Sequence, residues 1–181
     1  MENCDYFSKK FYKKCLEVEV FKGKKHTFLK RFWLKYFNPE TNSVFLIRKY
    51  IYKLHSSSRG LAHRFIRVKL MKKYNIHVSS NTRIGLGLSI RHPSNIMITN
   101  AKIGDNCVLF HNVTIGAKYE EADMDNSPVI GNDVKFFSNS ACYGKVVIAD
   151  GVSIGSFSCV INDILVPGVY VGIGKQIRKI K

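Results

Sequence analysis

Acidic residues are scarce in the first 75 positions, which hold five Asp and Glu against 19 Lys and Arg. Glycine is scarce there too, with only Gly23 and Gly60, so this stretch is not built from tight turns. The five cysteines, Cys4, Cys15, Cys107, Cys142 and Cys159, form no CxxC pair and meet no histidine at metal-ligand spacing. They read as reduced thiols of a cytoplasmic protein, with neither a disulfide framework nor a metal. No apolar run approaches the ~18 residues of a membrane span. Residues 1–10 carry charge without an apolar core behind them, which speaks against a secretory signal. What is present is a chain of 181 residues, 45% hydrophobic, enough for one core and too apolar for general disorder.

The formal charge of +16 is unevenly spread, because residues 76–181 balance 10 Lys and Arg against eight Asp and Glu. Of the 22 aromatic residues, 15 precede residue 76, whereas 11 of the 13 glycines follow it. The chain therefore divides into a basic, aromatic-rich, helical region (1–75) and a glycine-punctuated one (76–181). In the first, Val44, Ile47, Tyr50, Ile51 and Leu54 share one helical face, and Leu61, Phe65, Val68 and Met71 share another. Asn42, Ser43 and Ser58 stand where N-caps are expected, and Asn38-Pro39 marks a turn before these helices. Residues 1–38 have no clear period.

The second region repeats. A bulky residue recurs every six positions at Ile84, Ile90 and Ile96, then, after one extra residue, at Ile103, Leu109 and Ile115. It resumes at Ile130, Phe136, Cys142, Ile148, Ile154, Val160 and Val166. Glycine follows this residue at positions 85, 104, 116, 131 and 155, and Val113, Val134 and Val152 stand two before it. A helix cannot keep a six-residue period on one face, and the recurrent Ile-Gly pair turns the chain after each short strand. The pattern describes a prism of short parallel strands, three per coil, with the key residue pointing inward: a hexapeptide β-helix.

With "IGLGLSIRHPSNIMITNAKIGDNCVLFHNVTIG", a loop, and "PVIGNDVKFFSNSACYGKVVIADGVSIGSFSCVINDILVPGVYVG", residues 76–181 resemble the serine acetyltransferase branch of the hexapeptide acyltransferases. Within that branch the likeness points to the capsule, exopolysaccharide and O-antigen O-acetyltransferases. The resemblance implies a mainly β fold, a left-handed parallel β-helix behind a helical N-terminal region. It also implies a homotrimer, acetyl-CoA as co-substrate, and a sugar or polysaccharide hydroxyl as acceptor, carried free or on a lipid. The rival within the family is a serine acetyltransferase of cysteine synthesis. From another class, a non-catalytic β-helix whose basic arm binds nucleic acid leaves His92 and the loop without a role, and the aromatics sit at helical core spacing. No nucleic-acid partner is expected.

His92 matches the catalytic histidine of the family's Asp-His motif, and an imidazole suits removal of a hydroxyl proton at cytosolic pH. Without the resemblance, a surface histidine on a loop-like turn is the favoured reading. His111 follows Leu109 by two, as His92 follows Ile90, so it is expected one coil away in the same column, ~4.8 Å distant. It either acts in catalysis or stacks without catalytic weight. The family's acid before the histidine is Arg91 here, the acid that pairs with the base aligns with His77, and the loop's second histidine aligns with Ser127. These changes speak against a zwitterionic acceptor. They leave Arg91, Asn95 and Ser127 as acceptor-side residues, with Asn95 or a backbone carbonyl to orient His92.

Residues 117–128 interrupt the repeat as an extruded loop, which the resemblance places over the active site. By match, Ser140, Ala141, Ser156, Phe157 and Gly168 meet acetyl-CoA, with Lys175 and Arg178 on its phosphates; the tail also reads as a solvated basic terminus. Lys9, Lys10, Lys13, Lys14, Lys22, Lys24, Lys25, Lys30 and Arg31 alternate with Phe7, Phe11, Phe21, Phe28, Phe32 and Trp33. This arm either meets an anionic membrane surface or packs against the rest of the protein.

Overall fold

The computed structural model describes residues 5–56, 60–117, 126–174 and 177–180. Helix α1 (Lys9–Cys15) runs into a π-helical turn (Leu16–Val20), followed by α2 (Phe28–Tyr36), α3 (Pro39–His55) and α4 (Ala62–Tyr74). Asn38 caps α3 by accepting the Thr41 N–H at 3.0 Å, and Pro39 opens the helix, where its fixed φ and missing donor cost nothing. Asn42 and Ser43 are therefore not caps. Both lie buried inside α3, where Asn42 donates to the Lys35 carbonyl at 2.7 Å and accepts the Tyr74 hydroxyl at 2.8 Å. Ser58, the other expected cap, lies outside the described residues.

The expected face of α3 is buried through Val44, Ile47, Tyr50 and Ile51. That of α4 is not. Leu61, Phe65 and Val68 point outward, Phe65 being 71% exposed, while Ile66, Leu70 and Tyr74 face the core. Both stripes have helical spacing, and only the packing of α4 on α3 chooses between them.

Residues 76–174 wind a left-handed parallel β-solenoid of about five turns. Its first face holds β1 (Ile76–Val78), β4 (Ile96–Thr99), β7 (Thr114–Gly116), β10 (Ala141–Tyr143) and β13 (Cys159–Val160). The second holds β2 (Arg83–Ile84), β5 (Lys102–Ile103), β8 (Val129–Ile130) and β11 (Val147–Ile148). The third holds β3 (Ser89–Ile90), β6 (Val108–Leu109), β9 (Lys135–Phe136), β12 (Val152–Ile154) and β14 (Gly168–Val171). An antiparallel edge strand, β15 (Arg178–Ile180), completes that face.

Strand register sorts the inward residues into columns. Ile84, Ile103, Ile130 and Ile148 form one, and Ile90, Leu109, Phe136 and Ile154 another. The third runs Val78, Ile98, Ile115, Cys142, Val160, so Ile98 rather than Ile96 occupies it. Ile96 is also buried, but it pairs with Ile76 beside the corner. At the far end the period slips: Val166 is 56% exposed, and Ile164 bridges Ile148 in its place. Burial lifts the Cys107 thiol to about 12, and burial with Cys159 nearby lifts Cys142 further. Both are core fillers held as unreactive neutral thiols.

The helices are fastened to the first coil by a buried ion pair. Glu19 takes two hydrogen bonds from Arg48, at 2.9 Å from Nε and 2.6 Å from Nη2. Arg48 Nη1 donates to the Ile84 carbonyl at 2.8 Å and Nη2 to that of Gly85. Glu19 Oε1 also accepts the Gly87 and Leu88 N–H groups at 2.9 and 3.1 Å.

Candidate functional site

The corner between the third and first faces carries a ladder of asparagines. Asn75, Asn95, Asn112 and Asn139 all hold left-handed backbones, with φ of 51°, 55°, 56° and 62°. Each side-chain amide donates to the next in one line: Asn75 to Asn95 at 2.8 Å, Asn95 to Asn112 at 2.6 Å, Asn112 to Asn139 at 2.8 Å. Asparagine tolerates this conformation, and stacked amides satisfy one another across coils.

His92 interrupts the corner. The backbone bond from the Asn112 N–H to the Ser94 carbonyl aligns Ser94 with His111, and that from Asn139 to His111 continues the column to Ser138. Positions 92 and 93 are therefore an insertion that the later coils lack. His111 does not share a column with His92, as even spacing had suggested; it stands over Ser94. The insertion still swings the two imidazoles together, with ring centroids 6.3 Å apart at an interplanar angle of 73°. His92 is itself left-handed at φ 53°, is exposed, and is followed by Pro93. Strained backbone of this kind holds a side chain outward on a rigid turn.

Asn95 is committed to the ladder, so it does not orient His92. The ring instead meets Phe110, 6.5 Å away by centroid, and Phe110 stacks on Phe137 of the next coil at 5.1 Å. His111 Nδ1 lies 3.4 Å from the Ser138 hydroxyl, which leaves Nε2 for a ligand. Arg91 is not an open cation: its guanidinium pairs with Glu40 of α3 at 3.1 Å. His77 faces Asn75 at 3.4 Å and is in register with Met97. Ser127 is buried, and Ser140 is turned inward, its hydroxyl donating to the Phe137 carbonyl at 2.6 Å. Neither presents its side chain on the surface.

Ala141 lies on β10, and Ser156 and Phe157 lie on the histidine corner, two coils beyond His111. Phe157 continues the left-handed column at φ 60° with its ring 72% exposed. Gly168 opens β14, where a Cβ would lie 2.2 Å from the Lys179 side chain. Arg178 is exposed on β15, whereas Lys175 lies outside the described residues. So does most of the loop 117–128, whose N-terminal root at Ala117 borders a cavity of about 510 Å³ lined by Ser79, Thr99, Thr114 and Tyr143 among others. Sequence reading missed Glu40, Phe110 and Ser138. The last two carried a signal: Phe110–Phe137, His111–Ser138 and Asn112–Asn139 share one spacing.

No protein-family model matches the chain. The crystal structure of Neisseria gonorrhoeae serine acetyltransferase superposes with a TM-score of 0.76 at 21% identity, covering 96% of this chain and 68% of that one. The fold is that of the serine acetyltransferases. Soybean serine acetyltransferase gives a TM-score of 0.73 at 18% identity, covering 93% of this chain and 69% of that one. By sequence, the serine acetyltransferase of Staphylococcus epidermidis is 30% identical over 129 residues, 71% of this chain and 60% of the relative. That of Buchnera aphidicola is 26% identical over 119 residues, 65% and 46% respectively. The chain thus spans about half the length of the curated relatives it matches.

Proposed function

We propose that this protein is an O-acetyltransferase that uses acetyl-CoA, with His92 as general base. The observation that carries the reading is an exposed imidazole on a rigid inserted corner of a serine acetyltransferase fold, with a second imidazole 6.3 Å away. His92 takes the proton of the acceptor hydroxyl as its oxygen bonds to the thioester carbonyl carbon. The C–S bond then breaks, and His92 returns the proton to the departing sulfur, giving the O-acetyl ester and free CoA thiol. His111, steadied by Ser138, is placed to hold the thioester oxygen or the acceptor. Ala141, Ser156, Phe157 and Gly168, with Arg178 and Lys175, are the residues that would hold acetyl-CoA, Ala141 and Gly168 chiefly through backbone groups.

L-serine is the first reading of the acceptor, because the relatives by sequence and by fold carry that name. A sugar hydroxyl is the second. It is favoured by Arg91 and His77 where the resemblance implies carboxylates, since neither side chain can pair with a protonated amine. Thiol release from acetyl-CoA, measured with L-serine and with a panel of sugars, separates them. Serine-dependent release alone establishes the first reading; release with sugars and none with serine establishes the second. No release with either overturns the reaction itself.

The active assembly in this reading is a homotrimer, in which a neighbouring subunit walls off His92 from water. Light scattering should give about three times the 20.7 kDa chain mass, and a fully active monomer would refute the shared site.

A further inference from the structure

We propose that α2 is a docking element for an anionic phospholipid leaflet. Most of its apolar face is turned away from its own protein. At 100° per residue, Phe28, Phe32, Tyr36, Leu29, Trp33 and Phe37 sweep one half of the helix and its C-terminal turn, and all six are exposed. Among the residues of α2 none is buried; Leu34, on the opposite side, packs against the core, and of the apolar face only Tyr36, at its edge, reaches a core ring, meeting Phe45 of α3 edge-on at 5.8 Å. An amphipathic helix normally shows its apolar face to its own core. Here Phe28, Phe32 and Tyr36 border a cavity of about 890 Å³ shared with Lys13 and Lys14 of α1, while Leu29, Trp33 and Phe37 lie beyond it.

The charge around this face selects the occupant. Residues 20–39 contain Lys22, Lys24, Lys25, Lys30, Arg31 and Lys35 and no acid. Arg31 is partly neutralised by Glu17 at 2.6 Å, whereas Lys22, Lys24, Lys25 and Lys30 are exposed and Lys35 lines the cavity beside Phe28, Phe32 and Tyr36. A second copy of this face would bring like charge against like charge. An anionic leaflet pairs with it, and Trp, Tyr and Phe favour the headgroup boundary. No described helix is long and apolar enough to cross a membrane, so contact by α2 is peripheral.

Trp33 is the only tryptophan of the chain, which makes it the reporter. With phosphatidylcholine vesicles containing phosphatidylglycerol, its emission should shift to the blue and be quenched by brominated acyl chains. Partition should be at least ~10-fold weaker on pure phosphatidylcholine, and should fall as salt rises from about 0.05 M to about 1 M. Leu29→Glu with Phe37→Glu, and separately Lys24→Glu with Lys25→Glu, should each weaken binding at least ~10-fold while circular dichroism and acetyl transfer stay unchanged. Absence of a shift on anionic vesicles at low salt overturns the proposal, as does equal binding to neutral ones. If the Leu29/Phe37 variant instead lowers the sedimenting mass, the face belongs to a second copy and the leaflet is excluded. The vesicle, dichroism and sedimentation readouts do not depend on the acetyl-transfer reading.

Discussion

Replacing His92 with alanine is expected to lower turnover at least ~100-fold, about 2.7 kcal/mol of transition-state stabilisation. The effect should fall on kcat more than on the KM for acetyl-CoA, because in the proposed reaction His92 handles the proton and the later coils hold the co-substrate. The corner itself should survive, since the backbone there is secured by the asparagine ladder and not by the imidazole. Light scattering and circular dichroism on the variant provide the control. His111→Ala tests the second ring: a comparable fall assigns it to the reacting atoms, and a fall in acceptor affinity alone assigns it to binding. A loss of only a few-fold in His92→Ala, with the assembly intact, would remove His92 from the role of base.

Glu19→Ala is expected to destabilise the fold by about 3–5 kcal/mol, the range for breaking a buried ion pair from one side. The substitution leaves the Arg48 guanidinium, only 4% exposed, without its counter-charge, and leaves the Gly87 and Leu88 N–H groups without an acceptor. Denaturant titration should show a lower midpoint with little change in slope. Glu19→Leu combined with Arg48→Met should recover part of the loss. Recovery stays incomplete, because the carbonyls of Ile84 and Gly85 lose their donor. A cost below ~1 kcal/mol for Glu19→Ala would mean that the helices are not fastened to the first coil through this pair.

The glutamate owes its position to the π-helical turn. Widening the helix lets Glu19, Val20 and Phe21 all turn inward in succession, with the Phe21 N–H reaching the Leu16 carbonyl at 3.1 Å. An α-helical reading of "LEVEV" puts a glutamate at that site on the surface, which is why the clamp was invisible in the sequence. Arg48 was equally hidden, as one more cation in a basic segment.

The six-residue period by itself determines the solenoid. It is a local property, because a bulky residue every six positions with a glycine behind it leaves no other regular way to bury the column. His92 was legible through a motif, and the departures at Arg91 and His77 through the same match. Where the extra residues of the first coil go was not legible. Counting placed one of them after Ile96; the register places two at His92 and Pro93 and takes one back before Ile103. That shift moves His111 out of the expected column and still brings the imidazoles within reach, and it depends on hydrogen bonds between residues far apart in the chain. The helices show the same division. Periodicity drew an apolar stripe on α4 and scattered aromatics across residues 28–37, but a stripe carries no mark of inside or outside. Packing against α3 buried Ile66, Leu70 and Tyr74 and left Phe65 and Trp33 on the surface, because only one side of each helix can meet the single core available.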